Sequence, residues 1–253
     1  PVLVIYSLTL ITWNNIWIII SLLVIFLLPL SSYLLVKNVK LDSRENTDEK
    51  EFKDENIKQW RRIEVLKDYR FYIISLNMLA MPWIATGVFV FQSFIANSKG
   101  WGDYTIPQSF MSYSIFSVLT LIISGFLVDK FTSRKLLIYM NVPLFLSTFV
   151  LIYFDSSYSA FVFLGLIGVS NGLANLLGSS TWAEIYGVKY IGSIKALTTA
   201  LMVFATAFGT ALFGFLIDIG FSIENIATVS SFSIGISIFL LFLIRKKLNP
   251  VFI

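Results

Sequence analysis

Cysteine and histidine are both absent from the 253 residues. Without cysteine there is no disulfide framework and no thiol chemistry. Charge is scarce too, at 13% of residues, and none of it falls near the centre of an apolar run. An enzyme would need a nucleophile with its base, or a metal cluster, and a chain with no His, no Cys and no mid-run carboxylate offers neither. The opening "PVLVIYSLTLITWNN" has no Met, no basic n-region and no small-residue cleavage site, so it does not read as a signal peptide. What is abundant is apolar: 57% of residues are hydrophobic and the mean hydropathy is +0.80, well outside the balance of a soluble domain.

Apolar stretches long enough to cross a bilayer number about seven, near 16–36, 71–95, 108–128, 136–154, 158–182, 196–217 and 223–244. At about 1.5 Å per residue each covers a hydrocarbon core about 30 Å thick. In lipid only helices and closed barrels satisfy their own backbone hydrogen bonds, and these runs do not alternate as barrel strands do. The fold class is therefore an all-α integral membrane protein. Residues 1–12 read as the outer end of a helix that begins upstream, so the chain is expected to be a fragment.

Eighteen of the 19 Lys and Arg fall in alternate loops: ten in 37–70, three in 130–135, two in 189–195 and three in 245–247. The intervening loops hold only Lys99, against Asp103, Asp155, Asp218 and Glu224. A charged side chain costs about 2.5 to 3.5 kcal/mol at a helix centre and basic loops stay cytoplasmic, so the asymmetry predicts a cytoplasmic C-terminus on a multi-pass cell-membrane protein. The bases are spent on topology, which argues against a nucleic-acid partner. Four parts are expected: 1–36, a remnant of an N-terminal half; 37–70, a cytoplasmic loop; 71–247, six transmembrane helices; and 248–253, a cytoplasmic tail. Within the loop, 41–56 is a mixed-charge run expected to be flexible. Ile57, Trp60, Ile63 and Leu66 recur every three residues, as in a short amphipathic helix. Such a helix lies at the membrane surface or against the cytoplasmic helix ends, or docks another protein.

"GFLVD" at 125–129 returns as "GFLID" at 214–218, 89 positions later. Each ends the second helix of a three-helix set, and the two ends face opposite sides of the membrane, as inverted-topology repeats require. Lys130, Arg134 and Lys135 follow the first copy; no base follows the second. Asp129 stands where its carboxylate can accept from free amides of the next helix and pair with Arg134, while Gly125 allows close helix approach. Such a cluster would latch the inner face, or its bases would only fix topology.

Gly125, Asp129, Lys130, Arg134 and Lys135 resemble the loop signature of the major facilitator superfamily, Gly-x-x-x-Asp-(Arg/Lys)-x-Gly-x-(Arg/Lys)-(Arg/Lys), with Thr132 where that family has Gly. The chain is similar throughout to the end of helix 5, helix 6, the central loop and helices 7 to 12 of bacterial permeases of unassigned substrate. The resemblance implies secondary transport of a small solute by alternating access, with no cofactor. Its partners would be the bilayer, an N-terminal six-helix half, and the solute with or without a coupling ion. A non-transporting receptor or assembly factor on the same fold is the alternative.

With no mid-span ionisable residue there is no proton carrier in evidence here. Cavity candidates are therefore uncharged: Asn77, Thr86 and Gln92 in the first helix after the loop, Ser112 and Ser117 in the next, and Asn171 with Asn175 in the fourth, four apart on one face. Trp83 beside Pro82 is a candidate wall residue at a kink. Glu184 reads as a charge partner for Arg134 or Lys189. Gly168 with Gly172, and Ala205 with Gly209, are small pairs at four-residue spacing suited to close helix packing.

Overall fold

The computed structural model describes residues 6–7, 10–37 and 57–251. The run expected to be flexible, 41–56, lies outside these, as do most of residues 1–12. The chain divides into two compact units, Pro1–Glu55 and Asn56–Ile253. The first contains one long helix, α1 (Trp13–Val36), whose apolar side chains are mostly exposed and whose Trp13 and Trp17 rings meet edge to face at 5.5 Å.

The second unit contains the short helix α2 (Arg62–Lys67), then α3 (Tyr69–Val90), α4 (Gln92–Ser98), α5 (Thr105–Phe131), α6 (Ser133–Leu136), α7 (Val142–Tyr153), α8 (Ser157–Tyr186), α9 (Ile191–Asp218) and α10 (Ile223–Ile244). Together with α1, seven helical stretches among the described residues are long and apolar enough to cross a membrane. They coincide with the seven apolar runs and overshoot several of them, because the helices carry on into the polar ends of the runs.

The packing has an exchange symmetry. Helix α5 packs along α8, and α9 along α3; α7 packs on α8, and α10 on α3; α7 and α10 meet each other. Swapping the set α3, α5, α7 for α8, α9, α10 leaves this pattern unchanged. The sequence offset of 89 registers it at the level of residues. On α8, a Cβ at Gly172 would come within 2.8 Å of Thr120 Cβ on α5. On α9, a Cβ at Gly209 would overlap the backbone of Trp83 on α3. Positions 83 and 172, and 120 and 209, are each 89 apart, so a close helix contact recurs at one place in both copies, with glycine supplied by opposite partners. In lipid, helix association rests on van der Waals packing, and small residues are what permit it.

Two expectations change. The fourth span is not one helix: α6 gives way to a 3-10 turn at Leu137–Tyr139, and α7 starts only at Val142. Pro143 has no N–H to offer the Tyr139 carbonyl, and the Asn141 side chain, fully buried, bonds to Asn77 on α3 instead. The amphipathic helix from Ile57 is also shorter than its spacing predicts. Residues 57–61 are extended and pinned: Lys58 N donates to Val251 O at 2.8 Å, and Trp60 N to Tyr186 O at 3.0 Å. In α2 it is Val65 that is buried, while Ile63 is 68% exposed. Arg61 N donates to Glu64 Oε2 at 2.7 Å and so starts the helix late. Asp68 stops it, capping α3 by accepting from Arg70 N at 3.0 Å.

Candidate functional site

Between α3, α5, α8 and α9, two helices from each repeat, lies a cavity of about 240 Å³. Four of the five methionines line it (Met78, Met81, Met140 and Met202), with Phe89, Tyr113 and Trp182. Its polar lining is Ser75, Thr86, Asn171, Asn175, Thr198 and Thr206; no carboxylate, ammonium or guanidinium is among the described lining residues. The threonine hydroxyls donate backwards along their own helices, Thr86 to Pro82 O at 2.7 Å, Thr198 to Lys195 O at 3.1 Å and Thr206 to Val203 O at 2.7 Å. Asn171 Nδ2 donates to Ser117 Oγ at 2.8 Å, tying α8 to α5, and Asn175 Nδ2 to Asn171 O at 3.0 Å.

Thr86, Asn171 and Asn175 thus meet in one cavity, whereas four other candidates lie elsewhere. Asn77 is fully buried on the far side of α3. Its Nδ2 donates to Leu137 O at 3.3 Å, and its Oδ1 accepts from Asn141 Nδ2 at 3.1 Å and Ser237 Oγ at 3.4 Å. It therefore holds α3 to the broken span and to α10. Trp83 packs its ring on Phe208 and Phe213 of α9. Ser112 Oγ donates to Phe161 O at 2.9 Å within the α5–α8 contact. Gln92 opens α4, beyond the α3 bend at Phe91. Ser75, Tyr113, Trp182 and the methionines were missed; pairs such as Met78 and Met81, three apart on one helix face, were the available signal.

At the end of the bundle that carries the bases, Glu184 closes the turn between α5 and α6. Its Oε1 pairs with Arg134 Nε at 2.9 Å. Its Oε2 accepts from Ser133 N at 2.9 Å, from Arg134 N at 3.2 Å and from the Ser133 hydroxyl. Those amides and that guanidinium are the partners expected of Asp129, whose side chain is itself exposed and makes no hydrogen bond or ion pair among the described residues. The carboxylate that reaches them comes from the facing helix, not from the same loop. Gly125 has open space at its Cβ position, so no close helix approach occurs there. Lys130 lies over the Phe131 ring at 5.4 Å, and Lys135 is exposed. Thr132 takes φ 69° and ψ 147°, the one positive φ outside glycine among the described residues, at the position where the signature has Gly. Nearby, buried Arg70 donates to Asp68 Oδ2 at 2.8 Å and to the Lys247 and Asn249 carbonyls at 3.0 Å, binding the start of α3 to the chain after α10.

The opposite end is held by Lys99. Its side chain is 1% exposed, and Nζ pairs with Asp155 Oδ1 at 2.7 Å and Glu224 Oε1 at 2.8 Å. Trp101 Nε1 adds a bond to Asp155 O at 2.8 Å. Burial disfavours the ammonium, but its hydrogen bonds to Asp155 and Glu224 outweigh that, so Lys99 titrates above the ordinary lysine value.

Helices long enough to span a bilayer, arranged as two exchangeable sets with a cavity between them, define a multi-pass membrane protein. The model of the Major Facilitator Superfamily matches residues 1–210, and the chain belongs to that family: it is a membrane transporter. Comparison with curated proteins and with solved structures returns no match.

Proposed function

We propose that the second unit is the C-terminal half of a secondary transporter that moves a small solute by alternating access, rocking against an N-terminal half of six helices. The observation that carries this is the cavity shared by α3, α5, α8 and α9, two helices from each repeat. In such an architecture the site lies near the bilayer midplane at the repeat interface. The solute binds there, with or without a coupling ion; the N-terminal half supplies any protonatable group. The end bearing Arg134 and Arg70 faces the cytoplasm, by the excess of bases on that side.

In this reading the α5–α6 turn is an inner-face latch, with Asp129 free in the present arrangement to engage the other half. Glu184, Arg134 and Ser133 keep the turn in shape.

The test is uptake by the whole protein in proteoliposomes. Met202→Trp, which fills the cavity from α9, is expected to abolish saturable uptake, and the 253 residues alone are expected to show none. Normal uptake by the Met202→Trp protein would remove the cavity from the pathway. Asp129→Asn is expected to alter transport kinetics or inner-face accessibility; unchanged values for both would sink the latch.

A further inference from the structure

We infer that the solute is an uncharged organic molecule with a mostly apolar body and a hydrogen-bond donor at its polar end. This rests on reading the cavity as the solute site.

The apolar part follows from the wall. Met78, Met81, Met140 and Met202 bring four polarizable, unbranched side chains to one cavity, with Phe89 beside them. Methionine adapts to irregular shapes, which suits an apolar body held by contact area rather than by directed bonds. Among the described residues, none that lines the cavity carries a formal charge. A charged solute would lose its hydration and find no opposite charge on this wall, which is costly in a low-dielectric site.

The donor requirement follows from counting protons. A threonine hydroxyl has one proton and two lone pairs. Those of Thr86, Thr198 and Thr206 have given their protons to carbonyls of their own helices, so toward the cavity they can only accept. Asn175 must point Nδ2 at the Asn171 carbonyl, because a carbonyl cannot donate; its Oδ1 is left without a donor, as is Asn171 Oδ1. Pro82 has no N–H, so it also leaves the Met78 carbonyl without its intrahelical partner. Ser75, Tyr113 and Trp182 also line the cavity with unspent donors, the Ser75 hydroxyl being buried without a partner, but acceptors outnumber them. With no cation among the described lining residues an anion fits poorly, and an alcohol, phenol or amide N–H fits well.

Four probes of one size separate the possibilities: 3-phenylpropan-1-ol, its methyl ether, 3-phenylpropanoate and 3-phenylpropylammonium. Their binding to the whole purified protein is measured by competition against the radiolabelled alcohol. The alcohol is expected to bind saturably and the ether about tenfold more weakly, for one lost hydrogen bond. Both ions are expected to bind at least about a hundredfold more weakly. Asn175→Asp should raise affinity for the ammonium at least about tenfold, which places the probe in this cavity. Failure of the alcohol to bind, equal binding of alcohol and ether, an ion binding as tightly as the alcohol, or no gain in the Asn175→Asp protein would each overturn the inference. Uptake assays keep the two readings apart. A protein that carries an anion refutes the solute class and leaves transport standing; one that binds the alcohol and moves nothing does the reverse.

Discussion

Lys99→Met, and the double substitution of Asp155→Ala with Glu224→Ala, break the same two ion pairs from opposite sides. The burial of the three groups decides which change costs more. Lys99 is 1% exposed in its side chain, whereas Asp155 is 77% and Glu224 40% exposed. With the lysine gone, both carboxylates return to water, and the loss is about 1 to 2 kcal/mol, close to that of surface pairs. With the carboxylates gone, an ammonium remains out of reach of solvent without a counter-charge, which costs about 3 to 5 kcal/mol. At about 2 to 4 °C per kcal/mol for a chain of this size, the apparent Tm in detergent should fall by roughly 2 to 8 °C in the first case and 6 to 20 °C in the second. Alkaline pH gives an independent check. Because the Lys99 pKa is raised on folding, its contribution is complete below the unfolded value, about 10.4, and is lost as pH rises through the higher folded value. The gap in stability between the native protein and Lys99→Met should therefore close in that alkaline window and stay constant below it. If Lys99→Met proves more destabilising than the double substitution, or the gap persists at high pH, Lys99 is not the buried hub of this end.

Thr132→Gly should stabilise the protein by about 1 kcal/mol in thermal unfolding. It releases about 1 to 3 kcal/mol of backbone strain at φ 69° against the entropic cost of glycine, and removes a buried hydroxyl that has no partner. Gly209→Val should lose more than about 3 kcal/mol, since its side chain would meet the Trp83 backbone, whereas Gly178→Val, with open space at Cβ, should stay within about 0.5 kcal/mol. Glu184→Gln should cost about 1.5 to 3 kcal/mol by weakening the bonds to Ser133 and Arg134, while Asp129→Asn leaves stability unchanged in the same assay.

The spans were legible because hydropathy over twenty residues is a summed property that local detail barely alters. The 89-residue repeat was legible for a different reason: four identical residues and a Val/Ile exchange end equivalent helices, and the Gly172 and Gly209 contacts recur at the same offset in the structure. The break at 137–141 was not. Pro143 marks only where a helix can start; the rest of the cause is a pair of amides, Asn77 and Asn141, sixty-four positions apart, that bond only once the helices are assembled. The same limit applies to the cavity. Asn77 and Asn171 are both amides within apolar spans, and nothing local separates them; the neighbouring helix does. Asn77 faces Asn141 and Ser237 and is used up in holding the bundle, whereas Asn171 spends one N–H on Ser117 and lines the cavity.

That division of labour also explains the placing of charge. The buried ions sit at the two ends of the bundle, where Arg70 joins α3 to the chain after α10 and Lys99 joins the α4 end to the starts of α8 and α10. Helices tied at both ends by buried pairs cannot slide past one another without exposing an unpaired charge, so the low-cost motion is that of the whole unit. Between the ties the wall is neutral and built from methionine and back-bonded threonine, which leaves its acceptors and its apolar surface for a guest. Rigidity at the ends and an unspent wall between them support the proposal of a half that rocks around a neutral solute.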